Sequence, residues 1–202
     1  QRAADIIEYT ETKGLNTVAY HKACLDNPGK VLLTPDQIAQ VESMLAALRA
    51  DELTRTLLWK GESQLAITWE DEQTGLPCKA LIDRVEMPNF VDLKTTRRQS
   101  PREFAQDFAD YRYHQQLAWY REALTELTGE VPQPFIATAS VSDGWPQVRE
   151  AYAAAYEIDP EALEIGRQQN EQALLGIAEC SESGNWSNVW TGQLNMLSLP
   201  ER

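Results

Sequence analysis

Alternating apolar and polar positions predict three consecutive strands in the middle of the chain. The runs cover residues 62–69, 79–85 and 90–95, and each contains β-branched or aromatic residues that strands favour. The first connection is polar and ends at Gly75, and the second is the short Met-Pro-Asn break at 87–89. Connections this short predict an antiparallel meander.

Capping residues outside this meander mark four helix starts, at Thr34, Asp51, Ser100 and Asp159. After the first of them, apolar residues recur at three-to-four spacing, so one face of that helix is expected to enter the core. A further helical stretch covers 113–127, either as a continuation of the third helix or as a separate one. Two more strands, at 134–142 and 147–157, complete a predicted α/β pattern.

Candidate chemistry depends on the register of the meander. A turn at the Met-Pro break sets Asp83 opposite Asp92, and a symmetric turn in the polar connection sets Glu62 opposite Asp83. Lys94 projects from the same face as Asp92, because side chains two residues apart share a face of a strand. Three carboxylates in one patch need protons or a cation, and oxygen ligands favour a hard ion such as Mg²⁺.

These residues resemble the PD-(D/E)xK nuclease superfamily, and most closely the phage-type exonucleases of the RecE and lambda exonuclease group. Asp83 is similar to the first motif Asp, and Asp92-Leu93-Lys94 is similar to the D-x-K element. The run Tyr113-His114-Gln115-Gln116-Leu117-Ala118-Trp119-Tyr120 resembles the helical Y-H-x-Q-x-x-x-Y signature of this group. Trp190-Thr191-Gly192 and residues 197–200 resemble its W-x-G and L-x-L-P ending.

The resemblance implies a restriction-endonuclease-like core, with a central mixed β-sheet flanked by helices, and a Mg²⁺ centre at which Mn²⁺ can substitute. The implied metal ligands are Asp83, Asp92, Glu62 and the backbone carbonyl of Leu93. The implied catalytic side chains are Asp83, Asp92, Lys94, Glu62, Gln116 and Tyr120. The implied DNA contacts are Arg97, Arg98, Arg102, Tyr113 and His114.

The implied activity is Mg²⁺-dependent exonuclease cleavage of linear double-stranded DNA, 5′ to 3′, in phage or prophage recombination. In this mechanism Lys94 orients or helps to deprotonate the attacking water, and Gln116 and Tyr120 position the substrate strand or brace the site. Relatives in this group act as rings that thread the duplex. We therefore expect a closed cyclic homo-oligomer, with a single-strand annealing protein as its partner.

The sequence leaves three alternatives open. A structure-specific or restriction-like endonuclease could use the same core, and a DNA-binding relative could keep the fold and cut nothing. A metal-independent structural protein with acidic residues on a hydrophilic sheet face is more remote. The non-cleaving alternative is disfavoured because all four core groups are present, namely Glu62, Asp83, Asp92 and Lys94.

The length of 202 residues predicts a single domain, with a helical N-terminal part (1–59), a catalytic sheet with helices (60–157) and a C-terminal helix and tail (158–202). Three scattered cysteines predict reduced thiols in the cytoplasm of a bacterial or phage-infected cell, and argue against zinc or an iron–sulfur cluster. No apolar run approaches membrane-spanning length. Because the chain begins at Gln1 rather than Met, we expect that an upstream segment has been removed.

The net charge of −13 opposes binding to a polyanion, but the charge is unevenly distributed. Residues 79–121 contain eight basic and six acidic residues, which gives +2 and leaves −15 for the rest of the chain. Arg97, Arg98 and Arg102 follow the last strand of the meander, where they are expected to hold flanking phosphates. A ring would gather these residues from every subunit into one channel.

Overall fold

The computed structural model describes residues 6–8, 18–98, 100–141 and 151–186 of the chain. A five-stranded mixed sheet lies at the centre, and a separate two-stranded sheet precedes it. The strands are β1 (Ile6–Glu8), β2 (Val31–Leu33), β3 (Glu62–Glu70), β4 (Pro77–Glu86), β5 (Asn89–Thr96), β6 (Gln133–Val141) and β7 (Ala151–Glu157). The helices are α1 (Val18–Asp26), α2 (Pro35–Ala50), α3 (Glu52–Leu58), α4 (Pro101–Asp110), α5 (Tyr113–Thr128) and α6 (Pro160–Ser183).

The central sheet has the strand order β3-β4-β5-β6-β7. Its first three strands form the predicted antiparallel meander. β6 then runs parallel to β5 after the crossover through α4 and α5, and β7 pairs antiparallel with β6. α5 packs on β3, β4 and β6, whereas α2 and α3 pack on β6 and β7. The predicted mixed sheet flanked by helices is confirmed.

The N-terminal part is less helical than predicted. It contains α1, α2 and α3, but β1 and β2 also pair in parallel, with Ile6 opposite Val31. The consecutive Ile6 and Ile7 explain this difference, because β-branched side chains lose rotamer freedom in a helix and fit a strand better.

Hydrogen-bonded caps confirm the predicted helix starts. The Thr34 side chain accepts from the backbone of Gln37, and the Gln37 side chain accepts from the backbone of Thr34, which completes a capping box. Asp51, Ser100 and Asp159 cap α3, α4 and α6 in the same manner, by accepting from first-turn backbone N–H groups. No helix in the described ranges is long and apolar enough to cross a membrane.

A tight turn separates α4 from α5, so the stretch 113–127 belongs to a helix of its own. Arg112 lies in this turn with a left-handed backbone conformation, φ +54°, and its side chain makes no capping hydrogen bond. The aromatic rings of Phe104 on α4 and Tyr113 on α5 pack at 6.2 Å between centroids. The turn and this packing define the direction in which α5 crosses the sheet.

The main hydrophobic core lies where α5 packs on the sheet. Its largest fully buried members are Ile82, Phe90, Leu117, Leu124 and Ile136. Full burial of a large apolar side chain contributes about 1.5–3 kcal/mol. The apolar side of α5 is therefore held against the sheet, which places its polar side chains at the level of β5.

Replacing Gly166 with alanine should destabilise the fold by about 1–3 kcal/mol, the usual cost of overpacking. Gly166 lies on α6, where an added Cβ would come within 2.4 Å of the His114 carbonyl oxygen on α5. Gly176 on the same helix is the matched control, because nothing lies within 4 Å of its added Cβ. Alanine there should instead gain up to about 1 kcal/mol of helix propensity. Urea unfolding compares the two variants, and equal loss of stability in both would contradict this packing.

Candidate active site

The sheet becomes irregular where the two candidate aspartates lie. Within the described β4 and β5, pairing extends from their connecting turn to Arg84 and Val91 and no further. Ile82 and Val85 are three residues apart on β4 yet belong to one buried cluster, so the alternation of faces is broken between them. Gln64 on the neighbouring strand β3 has a φ of +55° at the same level. Beyond this point β5 no longer pairs with β4, so the backbone groups of β5 on this side need partners other than a strand.

Asp83 is held at this irregularity by hydrogen bonds to both carboxylate oxygens. Oδ2 accepts from the backbone N–H of Leu93 at 2.9 Å, where β5 no longer pairs with β4. Oδ1 accepts from the side-chain amide of Gln64 at 2.8 Å. The register of the β4–β5 pairing, continued by one step, sets Asp83 opposite Asp92, in agreement with the sequence-based register.

The prediction that Glu62 lies opposite Asp83 is wrong. Glu62 pairs with Val85 and is exposed, and the same register sets Gln64 opposite Asp83. The register differs by two residues because the side chain and carbonyl of Asp71 organise a turn that is centred later than a symmetric reading predicts. In the described part of the chain, no three His, Cys, Asp or Glu side chains are grouped to hold a metal ion. The predicted row of three carboxylates is therefore not formed.

Asp92 and Lys94 form an ion pair on β5 in which the carboxylate is buried and the lysine is partly exposed. Asp92 is 3% exposed, and its Oδ2 lies 2.7 Å from Lys94 Nζ. This oxygen accepts no hydrogen bond of good direction, so the nearby positive charge is its main compensation. Burial raises the pKa of Asp92, the contact with Lys94 lowers it, and the charge of Asp83 raises it. The net pKa is raised, so the ionised carboxylate lacks full compensation.

Side chains of α5 complete the surroundings of Lys94. Lys94 Nζ donates to Gln116 Oε1 at 2.8 Å, and Gln116 Nε2 donates to the Tyr120 hydroxyl at 2.8 Å. The same Nζ lies 4.4 Å from the centre of the Tyr113 ring, close enough for a cation–π contact. Burial raises the pKa of Tyr120, which keeps its hydroxyl protonated. Tyr113, Gln116 and Tyr120 thus share one helix face, as their spacing predicted.

The predicted DNA-contact arginines lie beyond the end of β5. Arg97 and Arg98 line a groove of about 920 Å³ together with Tyr113. Arg98 Nε pairs with Asp107 Oδ1 at 3.0 Å, and its side chain is 45% exposed. Arg102 is exposed on α4. The groove shares Tyr113 with the surroundings of Lys94, and its lining contains Glu103 and Asp107 as well as the two arginines.

His114 is not grouped with these residues. Its Nε2 atom lies 3.0 Å from Gln169 Oε1 on α6, and its ring packs beside Phe108. The predicted DNA contact by His114 is therefore not supported by its position. The Trp190-Thr191-Gly192 and 197–200 motifs lie outside the described residues.

Gln64 is the site residue that the sequence analysis missed. A turn placed from the Asp71 side chain and the positive φ of Gly75 would have found it, because that turn shifts β3 by two residues against β4. A register shift of two residues keeps the same side chains on the same face of the sheet. The error therefore replaces Gln64 by Glu62, its neighbour on that face of β3.

The remaining donors fit a Mg²⁺ ion. Mg²⁺ is commonly held by one or two protein carboxylates, and water and substrate phosphates complete its coordination. Asp83 and Asp92 supply two carboxylates, and the carbonyl of Leu93 adjoins them on β5. The buried Asp92 Oδ2 without a directed hydrogen bond is the kind of atom that a cation would satisfy.

The sequence matches the family model of a PDDEXK-like domain of unknown function (DUF3799) over residues 8–199. The chain belongs to this PDDEXK-like family. The resemblance of the chain to the PD-(D/E)xK superfamily is thereby confirmed, whereas the assignment of its motif residues and membership of the RecE and lambda exonuclease group stay predictions. No curated protein matches the sequence significantly.

Among solved structures, the chain is similar to a candidate exonuclease from Eubacterium rectale, with a TM-score of 0.61 and 19% identity. The alignment covers 91% of this chain and 71% of that chain. A second crystal structure, of SSO0001, has a TM-score of 0.34 and 12% identity over 72% of this chain and 56% of that chain, which is too weak to support an argument. The first similarity supports the restriction-endonuclease-like fold expected for a PDDEXK-like chain.

Proposed function

We propose that the chain is a metal-dependent exonuclease that degrades linear double-stranded DNA from its ends. The observation that carries the proposal is the convergence of Asp83, Asp92 and Lys94 from β4 and β5, with Gln116 bound to Lys94. Membership of the PDDEXK-like family supports nuclease chemistry. The similarity to a candidate exonuclease supports attack at DNA ends.

Asp83, Asp92 and the Leu93 carbonyl would hold Mg²⁺, or Mn²⁺ in its place. The bound ion would supply a Lewis acid for the scissile phosphate and lower the pKa of bound water. Lys94 would orient the attacking water and offset negative charge on the phosphate. Gln116 holds the Lys94 ammonium from one side, so this group keeps its position while the phosphate changes shape.

The DNA strand would leave the site along the groove that contains Arg97 and Arg98. The ion pair between Arg98 and Asp107 is partly exposed, so a phosphate oxygen can compete for the guanidinium. Arg102 on α4 would contact a phosphate further along. A closed ring of subunits would place these side chains along one channel, and a single-strand annealing protein would receive the exposed strand. The direction of digestion proposed with this arrangement is 5′ to 3′.

A time course with Mg²⁺ on linear duplex DNA tests this proposal. Duplexes labelled at the 5′ end and at the 3′ end should release label at different rates, and 5′ label should be released first. Covalently closed circular DNA of the same sequence should stay intact, and excess EDTA should stop the reaction. Nicked or linearised circles would favour an endonuclease on the same core, and intact DNA in every arm would favour a non-cleaving relative.

A further inference from the structure

Gln64 occupies the place where the site could have had a third carboxylate. Its side-chain amide donates to Asp83 Oδ1 at 2.8 Å, while the Leu93 N–H donates to Asp83 Oδ2 at 2.9 Å. Both oxygens of Asp83 are therefore oriented by neutral donors. Neither donor adds negative charge beside Asp92.

The backbone of Gln64 shows that this placement is constrained. Its φ of +55° lies in the left-handed region, which non-glycine residues adopt at a cost. In the described part of the chain, Arg112 is the other non-glycine residue with a positive φ. Unfavourable backbone conformations of this kind persist where the surrounding structure enforces them, and they concentrate at functional sites. At Gln64, this conformation occurs in the residue that contacts Asp83.

The balance of charge determines how a cation would bind. Asp83 and Asp92 supply two carboxylates, but the Lys94 ammonium already lies 2.7 Å from Asp92 Oδ2. Part of the attraction that Asp92 could offer a divalent ion is therefore opposed by Lys94. With a neutral residue at position 64, the site has no further negative charge to offset Lys94. A phosphate group can supply that negative charge through its anionic oxygens.

We propose that Gln64 makes cation binding depend on the nucleic-acid phosphate, because it positions Asp83 without adding a third negative charge. This inference rests on the proposed function of the site. It implies weak binding of a divalent cation by the free protein and tighter binding when a phosphate is present. Thermodynamic linkage requires that the cation strengthen phosphate binding by the same factor.

The test uses Mn²⁺ titrations of the full chain, with free Mn²⁺ followed by electron paramagnetic resonance. Each titration is run alone and with thymidine 5′-monophosphate, which carries a phosphate and has no phosphodiester bond to cleave. Gln64→Glu adds the missing charge at nearly constant size. Gln64→Gly removes the side chain and suits the positive φ, so it keeps the fold while it frees Asp83.

Gln64→Glu should bind Mn²⁺ at least about tenfold more tightly than the wild type in the absence of nucleotide, because a third carboxylate joins the site. The nucleotide should tighten Mn²⁺ binding more in the wild type than in Gln64→Glu. Gln64→Gly should bind Mn²⁺ more weakly than the wild type in both conditions.

Equal Mn²⁺ affinity of wild type and Gln64→Glu, with unchanged circular dichroism, would overturn the inference and leave the proposed nuclease function in place. If Gln64→Glu does not fold, wild-type affinity in Gln64→Gly overturns it equally. A wild-type chain that binds no Mn²⁺ with or without the nucleotide would overturn the metal-dependent function itself, and the inference with it.

Discussion

We expect Asp92→Asn to lower the cleavage rate by at least about 10³-fold, because the variant loses a carboxylate proposed to hold the metal ion. A bound Lewis acid supplies several kcal/mol of transition-state stabilisation, and each 1.36 kcal/mol is tenfold in rate. Asp92 is buried beside Asp83, and its Oδ2 lacks a directed hydrogen bond. The substitution removes the negative charge and keeps the shape. The rate of label release from linear duplex DNA at saturating Mg²⁺ measures the effect. Asp26→Asn, at the exposed end of α1, is the control and should retain the wild-type rate.

Stability measurements distinguish a lost metal ligand from a damaged fold. Burial raises the pKa of Asp92 above its unfolded value, so the folded chain holds this proton more tightly. The stability that this proton adds is present at low pH and is lost as the pH rises through the folded pKa. In EDTA, the free energy of unfolding of the wild type should therefore fall relative to that of Asp92→Asn as the pH rises through the folded-state pKa of Asp92. The asparagine of the variant does not titrate. An Asn variant that is unfolded at neutral pH would remove the cleavage result as evidence for metal binding.

Lys94→Ala should lower the cleavage rate by roughly 10²- to 10⁴-fold, the range for a positioned acid–base or electrostatic group. Lys94 Nζ is held between Asp92 and Gln116 and lies over the Tyr113 ring, so its removal takes away the ammonium that is paired with Asp92. Lys94→Arg should also be slow, because a planar guanidinium does not fit the position of a compact ammonium.

DNA affinity separates a role of Lys94 in the reaction from a role in binding alone. Fluorescence anisotropy with labelled duplex in Ca²⁺ should show affinity within a few-fold of the wild type for Lys94→Ala. Lys22→Ala, on the exposed surface of α1, should match the wild type in both assays. A Lys94→Ala variant that cleaves at the wild-type rate would exclude Lys94 from the mechanism.

Local features of the site could be predicted from sequence because they depend on neighbouring residues. The β4–β5 pairing of Arg84 with Val91 follows from a short turn, and its continuation by one step sets Asp83 opposite Asp92. Two-residue spacing then places Lys94 beside Asp92. The i, i+3 and i+7 spacing of Tyr113, Gln116 and Tyr120 predicts a shared helix face for the same reason.

The third position of the row could not be predicted in the same way. Choosing between Glu62 and Gln64 requires the centre of a six-residue turn, and that centre depends on hydrogen bonds of the Asp71 side chain. Two registers that differ by two residues bury the same face, so the hydrophobic pattern does not distinguish them.

The sequence by itself determined the five strands of the central sheet, four helix starts and the D-x-K element, because periodicity and capping act over a few residues. Only the tertiary structure decided that the amide of Gln64 orients Asp83, and that Gln116 reaches Lys94 across 22 positions of the chain. The physical reason is that both contacts require α5 and β3 to be packed against the other strands. Burial of Phe90, Ile82 and Leu117 determines that packing, and the hydrophobic effect behind it has no directional preference that a local sequence pattern could reveal.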